Sequence, residues 1–148
     1  MRRNLLEKVV RTEREGENSL VCLLIRLWQG VVDPRTQKLL GQVDEECKGQ
    51  SWFLPFMTRR ESEKYLEKEE AGVFVMRMGR EREYLALSVK SESECDHYKV
   101  VRSDKVVRSD KVWRMVGCQK EFLSISSMVL HLSILKEVLP APLKRSSN

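Results

Sequence analysis

The stretch Val73–Met78, which reads VFVMRM, is a compact apolar segment with a single charge inside it. It predicts a β-strand, and Tyr84–Lys90 (YLALSVK) predicts a second strand with its leucines and valine on one face. The short link Gly79–Glu83 indicates that these two strands form an antiparallel hairpin. Asp96–Val101 predicts a third strand, so the sequence around Arg77 indicates a sheet.

Arg77 is the residue in this sheet that needs an explanation. In an extended strand it shares a face with Val73 and Val75, and a charge on an apolar face is costly unless it is paired. One interpretation is that this face is open to solvent and Arg77 is an ordinary surface residue. The other is that Arg77 lies at the base of a pocket, where its guanidinium binds phosphate oxygens in a bidentate manner.

Two helices are predicted around the strands. Thr58–Glu61 (TRRE) has the pattern of a capping box and opens a helix that we expect to reach about Glu70. Ser126–Leu139 carries apolar residues near the helical period and is followed by prolines. The order of a helix, a hairpin, a third strand and a second helix predicts an α+β fold class, with an N-terminal extension.

The first 50 residues differ from this pattern. Residues 2–14 predict a short amphipathic helix, and residues 19–28 predict a buried strand or a buried helix, between which periodicity does not decide. Asp33-Pro34 and Gly41 are interpreted as turns. We expect an N-terminal extension of unknown role, partly helical, over residues 1–50, a folded domain over 51–143, and a tail over 144–148.

The composition excludes several classes of protein. The net charge is 27 − 22 = +5, and the hydrophobic fraction of 41% fits a domain with a buried core. Basic residues are interleaved with acidic ones, which argues against a nucleic-acid partner. No apolar run approaches the ~20 residues of a membrane span, and no signal peptide is recognisable, so we expect a soluble, cytoplasmic protein. Its four cysteines form no C-x-x-C pair, and we predict free thiols without a metal or cofactor.

Six pieces of the sequence resemble a Src homology 2 (SH2) domain in their order and spacing. They are Trp52-Phe53, Thr58–Glu63 (TRRESE), Gly72–Arg77 (GVFVMR), Tyr84–Val89 (YLALSV), His97–Val100 (HYKV) and Phe122–Ile125 (FLSI). The TRRESE piece most resembles Src-type kinases and adapters, and the resemblance covers about residues 52–143. It implies a central antiparallel sheet flanked by two helices, and an adapter module that binds tyrosine-phosphorylated proteins or peptides without catalysis.

The resemblance also implies roles for individual residues. Arg77 matches the phosphate-binding arginine at the pocket floor, and Arg59 matches the first-helix arginine that contacts the phosphate or the ring. His97 matches the histidine that supports the pocket, and Lys99 the basic residue beside the tyrosine ring. Tyr98 matches a residue that lines the groove for the peptide after the phosphotyrosine.

Three features depart from the family pattern. The loop Met78–Glu83 has no hydroxyl to offer a phosphate, although Arg80 or Arg82 can take that place. The hexapeptide KVVRSD occurs twice in tandem, over residues 99–104 and 105–110, and predicts a longer connection between the third and fourth strands. The segment after the second helix is short. The alternative function is therefore an SH2-like protein-interaction domain that no longer depends on phosphate.

Overall fold

The described part of the chain forms one antiparallel sheet with helices on both faces. The computed structural model describes residues 33–103 and 111–146 of the 148 residues. The helices are α1 (Pro34–Gln42), α2 (Glu45–Lys48), α3 (Arg59–Leu66) and α4 (Ile125–Ile134). The strands are β1 (Phe74–Met78), β2 (Leu85–Lys90), β3 (Cys95–Ser103), β4 (Val112–Met115) and β5 (Glu121–Phe122).

The sheet has the order β1-β2-β3-β4-β5, and every neighbouring pair is antiparallel. The hairpin between β1 and β2 places Arg77 opposite Ala86. The β2–β3 pairing places Ser88 opposite His97. Because facing residues of an antiparallel pair lie on the same side of a sheet, Arg77, Ser88 and His97 share one face. The predicted fold class is confirmed.

The two faces of the sheet bury cores of different size. Phe74, Met76 and Met78 belong to a large core that also receives residues of α1, α2 and α4. Val73 and Val75 belong to a small core. They share it with Leu66 of α3 and with Leu54 and Met57, which precede that helix. The alternation of side chains along β1 therefore separates a large core from a smaller one, and Arg77 lies on the face of the small core.

Both predicted flanking helices are present but shorter than expected. The capping box at Thr58 is formed as predicted, and α3 ends at Leu66 rather than near Glu70, since the next four residues are all charged and offer no apolar side chain to bury. Helix α4 ends at Ile134 rather than Leu139 because Leu135 takes an extended conformation. Leu139 then returns to the large core, so the helix ends before the prolines.

The turns predicted at Asp33-Pro34 and Gly41 are wrong, because these residues belong to α1. Asp33 is the N-cap of the helix, and its carboxylate accepts a hydrogen bond from the backbone N–H of Arg35. Pro34 occupies the first helical position, where its missing N–H costs nothing, and Gly41 lies inside the last turn. An Asp-Pro pair signals a helix start as well as a turn, and burial of α1 against the large core decides between them.

Asp44 joins α2 to α4. It caps α2 by accepting a hydrogen bond from Cys47 N–H, and it also accepts bonds from Ile125 N–H and the hydroxyl of Ser126 at the start of α4. Toward the C-terminus, Lys144 forms a parallel bridge with Val73. Both ends of the described chain thus pack on the sheet, while the domain boundaries at residues 51 and 143 stay a prediction.

Other expectations from the sequence have mixed outcomes. Cys47, Cys95 and Cys118 are free thiols. β3 and β4 pair as a hairpin through Ser103 and Val112, but the second hexapeptide copy lies outside the described residues. So do Cys22, the helix predicted over residues 2–14 and the apolar stretch 19–28. Within residues 33–103 and 111–146, no helix has the length and apolar character required to cross a membrane.

Candidate functional site

A cavity of about 710 Å³ is lined by the start of α3, the end of β1, the loop after it and the middle of β3. Among the described residues, its lining includes six cations and no carboxylate. The cations are Arg59, Arg60, Arg77, Arg80, Arg82 and Lys99. His97 and Tyr98 line the same cavity, so the structure brings together Arg77, Arg59, His97, Lys99 and Tyr98 with both loop candidates, Arg80 and Arg82. The arrangement favours a small, densely charged anion.

Arg77 forms the buried part of this cavity and is only 5% exposed. Its Nε donates to Ser88 Oγ at 3.0 Å, its Nη1 donates to the carbonyl of Met78 at 3.3 Å, and its Nη2 lies 3.2 Å from His97 Nδ1. These partners are neutral, and among the described residues no carboxylate forms an ion pair with Arg77. Burial, followed by the charge of Arg59, lowers the pKa of Arg77 from its ordinary value.

His97 is held in one tautomer by its neighbours. Its Nδ1 faces Arg77 Nη2, which can only donate, and lies 2.8 Å from Ser88 Oγ. Nδ1 is therefore the acceptor, and the ring proton is on Nε2. Burial, together with the charges of Arg59 and Arg77, lowers the pKa of His97 below its ordinary value of 6.5, so the ring is neutral at pH 7.

Glu63 is the acidic side chain beside the cavity. Its Oε1 lies 3.6 Å from Arg59 Nε and 3.5 Å from His97 Nε2. The contact with His97 is within ion-pair distance, but Nε2 makes no hydrogen bond there, and we regard it as a weak electrostatic contact because the ring is neutral. The Arg59 side chain is 71% exposed, so this pair is solvent-screened and Arg59 can exchange partners.

Lys99 and Tyr84 form a second wall. Lys99 Nζ lies 4.2 Å from the centroid of the Tyr84 ring, within the range of a cation–π contact. The Tyr84 ring lies against Gly79, where an added Cβ would come within 2.1 Å of a ring atom. Gly79 therefore permits the ring to lie flat against the loop, which positions Lys99 at the rim of the cavity.

The two arginines of the loop have different roles. Arg82 Nη1 donates to Asp33 Oδ2 at 2.7 Å and to Thr36 Oγ1 at 3.1 Å, so its charge is compensated by α1. Arg80 is exposed and has no hydrogen bond or ion pair with the described residues. Of the two candidates for the place of the missing hydroxyls, Arg80 is the one whose guanidinium is available.

Tyr98 lies on the opposite face of β3 from His97 and Lys99. It pairs with Leu87, packs against the large core, and its hydroxyl lies 3.5 Å from the carbonyl of Val138. Burial, then the charge of Asp96, raises the pKa of its phenol. The segment after α4 thus approaches Tyr98, and the role of this residue in a peptide groove stays a prediction.

The sequence analysis missed Ser88, Tyr84 and Glu63. The alternation places Ser88 on the other face of its strand from Leu87 and Val89, but only the hairpin register shows that this is the Arg77 face. Glu63 was recognisable as the residue one helical turn after Arg59. The pairing of Arg82 with Asp33 had no local signal, because 49 positions separate the two residues.

A buried arginine with no acidic partner among the described residues, at the floor of a cationic cavity on a sheet flanked by helices, favours an anionic ligand. Residues 52–132, more than half of the chain, match the SH2 domain. The chain therefore belongs to the SH2 domain family.

Two known proteins illustrate this relationship. An EGFR adapter protein of Drosophila melanogaster is 28% identical over 122 residues, which cover 80% of this chain and 28% of that protein. The chain therefore spans less than a third of the length of this relative. The solved structure of CED-2 superposes with a TM-score of 0.54 at 20% identity, covering 64% of this chain and 58% of that one, and supports the fold.

Proposed function

We propose that the cavity receives the side chain of a phosphotyrosine with Arg77 at its floor, and that the protein acts as a non-catalytic adapter. Its partners are tyrosine-phosphorylated proteins or peptides, and its place of action is the cytoplasm. The adapter relative from Drosophila and the SH2 family support this role. The single observation that carries the proposal is the buried guanidinium of Arg77, whose partners are all neutral.

The hydrogen bonds of Arg77 leave a fork for the ligand. A guanidinium has five N–H donors, and three of them are used by Ser88, Met78 and His97. The remaining two N–H groups are one on each terminal nitrogen. Two donors in that arrangement match two oxygens of a phosphate in a bidentate contact, while Ser88 and His97 fix the plane of the fork.

The remaining cations match the charge of the ligand. A phosphotyrosine carries about −1.5 to −2 charges and three acceptor oxygens. Arg77 lies at the floor, whereas Arg59 and Arg80 are exposed near the mouth. Arg59 exchanges its screened contact with Glu63 for the phosphate, and Arg80 supplies the donors that a hydroxyl-bearing loop would otherwise give. Lys99 beside the Tyr84 ring contacts the ligand ring.

The proposed function is tested by calorimetry with phosphotyrosine peptides and the full chain. Arg77→Lys keeps the charge but removes the fork, so we expect it to weaken phosphopeptide binding by about 2–5 kcal/mol. Arg102→Lys is the matched control, because Arg102 lies outside the cavity lining, where it donates to the carbonyl of Gln42. This control should bind like the wild type.

Two results would contradict the proposal. Unchanged affinity in Arg77→Lys would remove Arg77 from the site. Equal binding of phosphorylated and plain peptides by the wild type would favour the alternative, an interaction domain that does not depend on phosphate.

A further inference from the structure

We propose that Asp33 and Thr36, at the start of α1, are positioning residues for the phosphotyrosine cavity and act on it through Arg82. This inference rests on the proposed function and deepens it, since neither residue lines the cavity. We call the three side chains Asp33, Thr36 and Arg82 the brace. It would make a helix that precedes the residues matching the SH2 family a working part of the ligand site.

The brace is a closed set of hydrogen bonds. Arg82 Nη1 donates to both Asp33 Oδ2 and Thr36 Oγ1, and Thr36 Oγ1 in turn donates to Asp33 Oδ2 at 3.2 Å. Thr36 is buried, and Asp33 exposes only 16% of its side chain. A charge-assisted bond in a partly shielded place is stronger than an exposed surface pair.

The backbone conformation of Arg82 supports a role of the brace in holding the loop. Arg82 has a φ of 59°, in the left-handed region that L residues rarely occupy, so its conformation must be held by its surroundings. Its N–H donates to the carbonyl of Gly79, and the N–H of Gly79 donates to the carbonyl of Tyr84. Backbone hydrogen bonds therefore join the two ends of the loop, and the side chain of Arg82 attaches the loop to the start of α1.

Two cavity features depend on this loop. Arg80 lies two positions before Arg82 and has its direction set by the same turn. The Tyr84 ring lies against Gly79 and contacts Lys99 Nζ on the cavity side. If the loop moved away from α1, Arg80 and the Tyr84–Lys99 pair would both shift relative to Arg77, which the sheet holds in place.

The ionisation of Asp33 agrees with this role. Partial burial works to raise the pKa of this carboxyl, but hydrogen bonds from the Arg35 backbone, Arg82 and Thr36 outweigh it and lower the pKa below its ordinary value of 3.8. The carboxylate is therefore charged throughout the neutral range and keeps its bond to Arg82.

The decisive variant is Asp33→Asn in the full chain. Asparagine retains the N-cap of α1 but removes the charge that holds Arg82. Removing a negative charge near a cationic cavity would by itself strengthen the binding of a dianion. The brace predicts the opposite sign, a loss of affinity of about 2- to 30-fold, which is typical of residues that act on a site from outside it.

The experiment measures the affinity for a phosphotyrosine peptide and for phenyl phosphate, together with the melting temperature. Because the brace acts on the phosphate end, both ligands should lose affinity by a similar factor. Thr36→Val, which changes no charge, should give a smaller loss, and Asp33→Glu should recover part of the affinity. Glu83→Gln is the matched control, since Glu83 is an exposed acid of the same loop outside the brace, and its affinity should be unchanged or higher.

The outcomes separate this inference from the proposed function. If Asp33→Asn and Thr36→Val bind as tightly as the wild type, or more tightly, while Arg77→Lys loses binding, the brace is refuted and the phosphotyrosine site stands. If Arg77→Lys also binds normally, the proposed function itself fails. If Asp33→Asn does not fold, the affinity of Thr36→Val alone tests the brace.

Discussion

The two faces of β1 are equally buried but serve different purposes. On one face, Phe74, Met76 and Met78 enter a large core with aromatic and aliphatic partners from α1, α2 and α4. On the other, Val73 and Val75 enter a small core, and the next residue in the same row is the buried charge of Arg77. The large-core face therefore has the composition of a stabilising core, whereas the other face carries a guanidinium where a further apolar side chain would pack.

This difference separates the face that stabilises the fold from the face of the proposed ligand site. A buried cation without an acidic partner is unfavourable for folding, so the position of Arg77 supports the proposed ligand role rather than a role in stability. We expect substitutions on the large-core face to lower the free energy of unfolding and to leave affinity unchanged. Substitutions at Arg77 should lower the affinity and leave the free energy of unfolding unchanged or higher.

The largest expected effect on stability is that of Met76→Ala. Met76 is fully buried in the large core, and loss of such a side chain costs about 2–5 kcal/mol through lost transfer energy and the cavity left behind. Denaturant unfolding gives the change, and calorimetry well below the melting temperature gives the phosphopeptide affinity, which should stay at the wild-type value. A loss of affinity in a fully folded variant would show that the two faces are not independent.

The opposite face is examined by Arg77→Met, which replaces the charge with an apolar chain of similar length. We expect the free energy of unfolding to be unchanged or to rise by about 1–4 kcal/mol, the range seen when buried ion pairs in other proteins are replaced by apolar groups. Phosphopeptide binding should be lost. A variant that is clearly less stable than the wild type would instead make Arg77 a structural residue.

A smaller loss of stability is expected from Asp44→Ala on the large-core side. Asp44 caps α2 and also bonds to the first turn of α4, and removal of a cap costs about 0.5–2 kcal/mol. Asp44→Asn keeps an acceptor oxygen and should lose less. Thermal unfolding measures both variants, and an equal effect of the two would mean that charge, rather than capping, explains the contribution of Asp44.

The smallest effect is a pH dependence from His97. Since burial lowers its pKa below 6.5 in the folded state, the unfolded chain takes up a proton first as the pH falls. The stability from neutral His97 is therefore fully present above pH 6.5 and is lost as the pH drops through the folded-state pKa.

His97→Asn is the control for this pH dependence, and denaturant unfolding at several pH values below neutrality measures it. The variant keeps an acceptor near the place of Nδ1 but cannot titrate, so it should show a weaker fall in the free energy of unfolding. Identical pH profiles for the wild type and the variant would show that His97 is not buried neutral.

Much of the fold was predictable because its signals are local. The capping box at Thr58 and the alternation in β1 and β2 identified a helix and a hairpin from a few neighbouring residues. The same alternation placed Arg77 on an apolar face, and the resemblance to SH2 domains then singled out the residues that surround one cavity.

What the sequence did not reveal depends on distant contacts. The turn predicted at Asp33-Pro34 is a helix start because α1 packs on the large core, and no residue near position 33 indicates that this core is present. The early end of α4 has the same origin, since Leu139 leaves the helical path to reach the large core. The bond between Arg82 and Asp33 joins two segments that only the complete fold brings together.

Among the described residues, no acid lines the cavity, and this has a consequence for stability. Arg82 is compensated by Asp33 and Arg59 is screened by Glu63, but the other positive groups of the cavity repel one another. A dianion of the proposed kind would act as a counter-ion that these groups share, and binding of this kind stabilises the folded state through mass action. The thermal stability of the domain should therefore depend on whether an anion occupies the cavity. Sulfate or inorganic phosphate should raise the melting temperature more than chloride does at equal ionic strength.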